Sequence, residues 1–414
     1  MSAKKQYKQT ELGLIPEDWE VKKISKFTQT TAGGTPSTQK NEYWNGDIKW
    51  MNSGELNLKK VFNVENKITE LGLKNSSTKL IPVKCILIGL AGQGKTRGTV
   101  AMNMVELCTN QSIAAIYPND SFISEFLYYN LDNRYAELRR LSTGDGGRGG
   151  LNLKLINSLK IPLPPLSEQK AIADCISTWD NAIEKQSQLI ELLTQRKKAL
   201  MQKLLTGKKR LPGFSEEWKE VKLGDLFEKI NRKNEEGNTN VVTISAQRGF
   251  VKQTDFFNKS VASETLDNYS LIYHGEFCYN KSYSNGYPLG ATKRLIAFEK
   301  AVVTTLYICF KIKDQKKSNG SFFEQFFEAN SLDRSLIKIA QEGGRAHGLL
   351  NVSLSDFFNI KIKLPPIEEQ TAIAEILAAA DRELQLQKEK LAQLQTQKKG
   401  LMQVLLTGKK RLLN

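Results

Sequence analysis

Part of this chain is written twice. Leu163-Pro164-Pro165-Leu166-Ser167-Glu168-Gln169 returns as Leu364-Pro365-Pro366-Ile367-Glu368-Glu369-Gln370, and Leu204–Leu211 returns unchanged as Leu405–Leu412, 201 residues later and with no gap between. A weaker echo precedes each copy: Glu17-Asp18-Trp19 with Val21-Lys22, and Glu216-Glu217-Trp218 with Val221-Lys222. A repeat this long predicts a tandem duplication, 1–213 and 214–414, rather than a solenoid of short units. Each half divides again, into a variable globular part (1–160, 214–360) and a shared segment (161–213, 361–414).

The shared segment predicts a long helix. Pro164-Pro165 blocks its backward extension, and Ser167 is a suitable N-cap. Apolar residues then recur at alternating steps of four and three: Ile172, Ile176, Trp179, Ile183, Gln186, Ile190, Leu193, Lys197, Leu200 and Leu204. The second copy gives Ile373, Leu377, Ala380, Leu384, Gln387, Leu391, Leu394, Lys398, Leu401 and Leu405. Seams sustained over this many heptads are the signature of a coiled coil. Both are interrupted by Gln and Lys at matching places, and polar seam residues fix register at some cost in stability. Gly207 and Gly408 suit a left-handed cap. At 1.5 Å per residue each helix makes a rod of roughly 60 Å. Since a globular part separates the two helices, the natural arrangement is an antiparallel pair with approximate two-fold symmetry; packing of each helix on its own globular part is the alternative.

The globular parts read as strand and turn with a few short helices. Strand-like runs are Cys85–Leu90, Thr99–Met104, Ser112–Tyr117, Val241–Ser245, Ser270–Tyr273, Leu295–Phe298 and Val302–Phe310; short helices fall near 121–139 and 321–340. The fold class is therefore α+β, two mixed globular domains joined by two long helices.

Composition narrows the function. The net charge of +16 divides as +11 in the first half and +5 in the second, which favours an anionic partner, nucleic acid first. No apolar run approaches the ~20 residues of a membrane span, and Met1–Thr10 lacks the apolar core of a secretory signal. Five scattered cysteines and two histidines give no C-x-x-C, HxH or HExxH pattern, so no metal site is expected and the cysteines read as reduced cytosolic thiols.

Gly89-Leu90-Ala91-Gly92-Gln93-Gly94-Lys95-Thr96 matches the phosphate-loop pattern. A true phosphate loop opens a helix, whereas Arg97-Gly98-Thr99-Val100 is a poor helix start. Backbone and base contacts to nucleic acid from Gln93, Lys95, Thr96 and Arg97 are the better reading, with a plain turn as the alternative. Glycine-rich segments at 144–150 and 343–348 place Arg148 and Arg345 as phosphate contacts or else serve as hinges. Asn280, Lys281, Ser282 and Tyr283, followed by Lys293 and Arg294, combine amides, hydroxyls and cations suited to base edges and phosphates; a polar hairpin is the alternative. Thr35, Ser53, Gln247 and Arg248 lie in similar Gly/Ser turns. Trp19, Trp44 and Trp218 read as core anchors.

Taken together, the duplication, the paired Leu-Pro-Pro-x-x-Glu-Gln entries, the heptad helices and the Leu-Leu-Thr-Gly-Lys-Lys-Arg ends resemble a type I restriction–modification specificity subunit (the HsdS family). So do Gly33-Gly34-Thr35-Pro36-Ser37, Tyr43–Trp50 and Ser53-Gly54-Glu55-Leu56. The resemblance implies two target-recognition domains, each binding one half of a split double-stranded DNA sequence. It implies helices that act as spacer and as docking surface for two methyltransferase subunits, joined by restriction/translocase subunits in the prokaryotic cytoplasm. It also implies no catalytic residue in this chain, with S-adenosylmethionine, ATP and Mg²⁺ belonging to the partners. The strong divergence of the two recognition domains implies an asymmetric target.

Overall fold

Three strands of the first globular part are buried along their whole length: Ile86–Gly89, Val100–Asn103 and Ile113–Ile116. Their side chains alternate between two cores, as the two-residue period of a strand requires. Ile86, Ile88, Val100, Met102, Ala114 and Ile116 pack on one face with Phe126, Leu127 and Tyr129; Leu87, Ala101, Ile113 and Ala115 pack on the other with Met51, Leu56 and Val61. Covering both faces explains why these strands read as continuous apolar runs rather than alternating ones.

The computed structural model describes residues 6–92, 94–142, 150–257, 266–342 and 350–412. Within them the chain falls into two units, Met1–Gln186 with Lys390–Asn414, and Ser187–Glu389. In the first unit the three buried strands belong to a five-stranded sheet in the order Thr30–Ala32, Ile113–Ile116, Ile86–Gly89, Val100–Asn103, Lys60–Val61. Only the last pairing is parallel. The helical region expected near 121–139 is two helices, Ser124–Asn133 and Tyr135–Leu141.

The second unit is built around a four-stranded sheet, Phe227–Lys229, Ile308–Ile312, Phe277–Asn280, Ala291–Arg294, all antiparallel. One face is aromatic: the rings of Phe227, Phe277, Phe310, Phe323 and Phe327 meet at centroid distances of 4.8–6.0 Å. The other face carries Cys278, Ala291 and Cys309 against Val242, Ile244 and Ile272. The expected strand at Leu295–Phe298 is not one. The ladder runs through Ala291–Arg294 instead, because Thr292 and Lys293 pair with Tyr279 and Cys278. The helices expected near 321–340 are Gly320–Glu328 and Asp333–Ile339.

Both long helices form, Leu166–Leu204 and Ile367–Leu405, each of 39 residues. They begin directly after the proline pairs, so Ser167 lies inside the first turn rather than at its cap. Gly207 and Gly408 take the expected left-handed conformation, at φ of 68° and 70°. From 184 to 199 only Gln186, Ile190, Leu193 and Lys197 are shielded from solvent, and from 385 to 400 only Gln387, Leu391, Leu394 and Lys398. These are the seam positions. Near the helix starts the seam residues Ile172 and Ile176, and Ile373 and Leu377, are fully buried among the cores of the globular parts. The helices thus pack on the globular parts as well as on each other.

Ion pairs within each unit show the direction of pairing. In the first unit Glu168 meets Arg411 and Asp180 meets Lys398; in the second, Lys197 meets Asp381 and Arg210 meets Glu369. As one number rises the other falls, which is antiparallel. Each pair of one unit is matched in the other at a displacement of 201 residues.

The repeated Glu-Gln joins helix to globular part. Glu168, 1% exposed, accepts from Trp19 Nε1 at 3.1 Å and from Arg411 Nε and Nη2 at 2.8 and 2.6 Å. Glu369, fully buried, accepts from Trp218 Nε1 at 3.0 Å and from Arg210 at 2.8 and 2.7 Å. Gln169 donates to the Pro164 carbonyl and accepts from the Ile123 amide; Gln370 donates to the Pro365 carbonyl and accepts from the Asn319 amide. Every polar atom brought inside by this motif is met, as buried groups must be.

Candidate nucleic-acid interface

In the first unit the turn after strand Ile86–Gly89 does not open a helix. It leads through Gly98, at φ of 80°, into the next strand, Val100–Asn103. A phosphate loop holds its phosphates at a helix N-terminus, which this turn lacks, so the resemblance of Gly89–Thr96 ends at the sequence. The turn is instead a supported surface loop. Arg139 Nη1 donates to the Gly94 carbonyl at 2.5 Å, and the Tyr135 hydroxyl and Thr99 Oγ1 both donate to the Lys95 carbonyl. These bonds hold the backbone and leave the Lys95 side chain exposed; Thr96 and Arg97 are partly buried.

Other candidates gather at the same end of the sheet. The Leu90 amide bonds the Ser112 carbonyl at 2.8 Å, and the next residue back, Gln111, accepts from Thr35 Oγ1 at 2.5 Å. Ser53 opens a short 3-10 helix, Ser53–Leu58, whose Leu56 packs beside Gly89. The Leu151 amide bonds the Leu90 carbonyl at 3.0 Å, so the chain leaving the second glycine-rich segment returns to this loop.

The second unit repeats the arrangement with different residues. The Leu350 amide bonds the Lys281 carbonyl at 3.0 Å, so the chain leaving its glycine-rich segment also returns to a strand-end loop. Gln247 Nε2 donates to the Asn285 carbonyl at 2.9 Å, tying the tip of the hairpin Val242–Ser245/Gly249–Lys252 to that loop. Asn280 Oδ1 accepts from the Ser282 amide at 3.0 Å. Arg248 is exposed, and so is Tyr283, at 66%. Gln247, Arg248, Asn280, Lys281, Ser282 and Tyr283 therefore form one surface cluster. Gln93, Arg148 and Arg345 lie outside the described residues.

Two expected contacts are corrected. Lys293 is buried, ion-paired with Glu328 and 3.0 Å from the Tyr287 hydroxyl, which itself donates to Glu328 at 2.5 Å. Arg294 lies at the far end of the same strand, bonded to Ser321 and Gly275, 3.6 Å from Glu324 and over the Phe277 ring. Their charges are spent inside the fold, because a buried cation must be paired. Burial and the bond to Glu328 push the Tyr287 hydroxyl above its ordinary range. Sequence reasoning missed this triad, which anchors the loop Lys281–Tyr287 from beneath.

Close packing accounts for the Gly33-Gly34 signature. A Cβ on Gly33 would stand 2.1 Å from the Thr109 carbonyl oxygen, and one on Gly34 2.2 Å from Ser77 Oγ. Among the described residues no cluster of three or more His, Cys, Asp and Glu could hold a metal ion, and no helix is long and apolar enough to cross a membrane. Four of the five cysteines are buried and all are free; burial pushes the Cys85 thiol up to about 12.

Each unit thus presents a polar loop cluster at the equivalent strand end and fastens its globular part to paired stretches of the two long helices. Comparison with known proteins agrees. The family described as the type I restriction modification DNA specificity domain matches residues 16–195 and again 215–396. The chain belongs to this family. A type I restriction enzyme specificity subunit of Methanocaldococcus jannaschii, MjaVIII, is 26% identical over 97% of this chain and 95% of its own length. Another from that organism, MjaIX, is 34% identical over 45% of this chain, an alignment that spans 44% of that relative. The S subunit from M. genitalium aligns over 94% of this chain and 96% of its own, with a TM-score of 0.53 and 16% identity. A chain from a structural study of type I complex assembly aligns over 96% and 99%, with a TM-score of 0.59 and 15% identity. At these identities the likeness establishes the fold.

Proposed function

We propose that this chain is the non-catalytic specificity subunit of a type I restriction–modification complex, in which each globular part reads one half of a split, asymmetric DNA target. The observation that carries the reading is the recurrence, in both units, of a loop cluster at the same strand end with different side chains. In the first unit Lys95, Arg97, Thr35 and Ser53 surround the loop after Gly89; in the second Gln247, Arg248, Asn280, Lys281, Ser282 and Tyr283 surround the loop after Asn280. Cations supply salt-dependent attraction to phosphates, while amides and hydroxyls discriminate base edges at ~1–3 kcal/mol per good contact.

The helix pair serves as spacer and as the surface for two methyltransferase subunits, with restriction/translocase subunits completing the complex. S-adenosylmethionine, ATP and Mg²⁺ act in those partners. Covalent linkage of the two readers raises the effective concentration of the second at its half-site once the first is bound.

The test is to express the chain with its methyltransferase partner in a host free of this modification and map methylated positions. A bipartite motif is expected. Replacing residues 1–160 by the equivalent part of a relative should change one half of the motif only. Adding one heptad to both helices should change the gap between the halves or abolish modification. A motif unchanged by either alteration would refute the reading.

A further inference from the structure

Each unit has a corner where the end of one long helix meets the strand leading into the other and the two short helices of the globular part. In the first unit this corner is roofed by the hairpin Tyr7–Thr10/Gly13–Pro16. Ile15 is buried in the core beneath it, Glu11 pairs with Lys160, and the Tyr7 hydroxyl donates to the Gly408 carbonyl at 3.1 Å. About 200 Å³ of space remains beside Leu12. The arginine lining that space, Arg134, is neutralised on the spot by two bonds to Glu137, of 2.8 and 2.6 Å.

In the second unit the segment 205–218 forms no strand, and the corresponding corner is an open groove of about 790 Å³. Its floor is apolar, with Leu205, Phe326 and Ile362 nearly inaccessible to water. Its rim is cationic: Lys208, Arg334 and Lys363 are exposed, the lining itself holds no carboxylate, and the one at its edge, Glu220, is taken up by a fourth rim cation, Lys361. An apolar floor under an excess of positive charge is what remains when the covering element of the first unit is taken away.

We propose that this groove receives a segment of a partner protein carrying aliphatic side chains and at least one carboxylate, the chemistry that Leu12, Ile15 and Glu11 supply inside the first unit. A DNA strand would answer the cations but has no aliphatic group to pack on the floor. The proposal rests on the chain working within a multisubunit complex, and it makes the second unit the one that recruits a polypeptide at this corner while the first is self-sufficient.

A photo-crosslinking residue at Ser335, in the groove, tests this in the full chain co-produced with its methyltransferase and restriction partners. A matched residue at Asn133, in the first unit's corner, is the control. Crosslinks from position 335 should map to a partner segment containing Asp or Glu beside Leu, Ile or Val. Arg334→Glu with Lys363→Glu should lower their yield at least tenfold while the thermal midpoint of the chain stays unchanged. Crosslinks only to DNA, or only to the chain itself, would overturn the proposal. So would the absence of crosslinks in a complex that still methylates a bipartite site, an outcome that leaves the specificity function intact. A complex that assembles without methylating any bipartite site, but gives the expected crosslinks, would instead overturn the function and keep the groove.

Discussion

At the helix ends the two units bond alike: a buried glutamate, a tryptophan indole and an arginine close the same triangle at Glu168, Trp19 and Arg411 and at Glu369, Trp218 and Arg210. Away from the helices the resemblance fades. One sheet has five strands over a core of aliphatic and aromatic side chains, the other four strands over a phenylalanine cluster, and the loops share a position but carry different sets of side chains. The join between helix and globular part is the same in both units, and the surface loops carried by the globular parts are not.

The largest expected effect lies in the shared triangles. Removing either arginine strands a buried carboxylate and should destabilise its unit. Arg411→Ala should expose the first unit, and Arg210→Ala the second, to hydrogen exchange followed by mass spectrometry. Loss of protection in both units from one substitution would break the view that each triangle secures its own unit. The glycines come next. Gly33→Ala collides with the Thr109 carbonyl and should cost about 1–3 kcal/mol in a urea melt, whereas Gly94→Ala meets open space and should leave stability unchanged.

The loop clusters should separate by half-site. Asn280→Ala should weaken binding by about 1–3 kcal/mol and relax one half of the motif. Lys95→Ala should weaken binding to all sequences alike and flatten the salt dependence by about one ion. Titrations at several salt concentrations on both half-sites would distinguish them, and the reverse pattern would exchange the two roles.

The smallest effect is in acid. The bond from Arg411 holds the Asp18 carboxyl below its ordinary 3.8. Its folded pKa is therefore lower than its unfolded one, so its contribution is present above that ordinary value and fades as the pH falls towards the folded one. In the second unit the matching bond of Arg210 goes to the Glu216 carbonyl at 2.7 Å, which does not titrate. As the pH falls below that ordinary value the first unit should lose a small part of its protection, and Asp18→Asn should remove that part of its acid response.

The helices were legible because their information is local and periodic. Seam residues recur at fixed steps, and every one of them is at least partly shielded in the fold. The buried strands were legible as apolar runs, but not the order in which they pair, which depends on contacts far apart in sequence. The same distance misplaced Lys293 and Arg294. Their partners Glu328 and Glu324 lie on a helix some thirty residues on, and nothing in the intervening sequence announces them. The roles of Glu168 and Glu369 were hidden too, although a signal existed: Trp and Arg recur in both halves together with the Glu-Gln pair. Thr35 and Lys95 sit 60 residues apart in sequence, and only the sheet shows that they share an end.

The Lys–Asp pairs of the seam have one more consequence. Lys197 reaches Asp381 in the other repeat, and Lys398 reaches Asp180, so exchanging the repeats returns the same set of contacts. Self-complementary contacts of this sort are what two identical chains make about a two-fold axis. In an ancestor of half this length, any change at the lysine would have struck both pairs at once, and any new reading loop would have appeared twice. With the two copies joined in one chain, each half can change alone, and one loop cluster can diverge without the other.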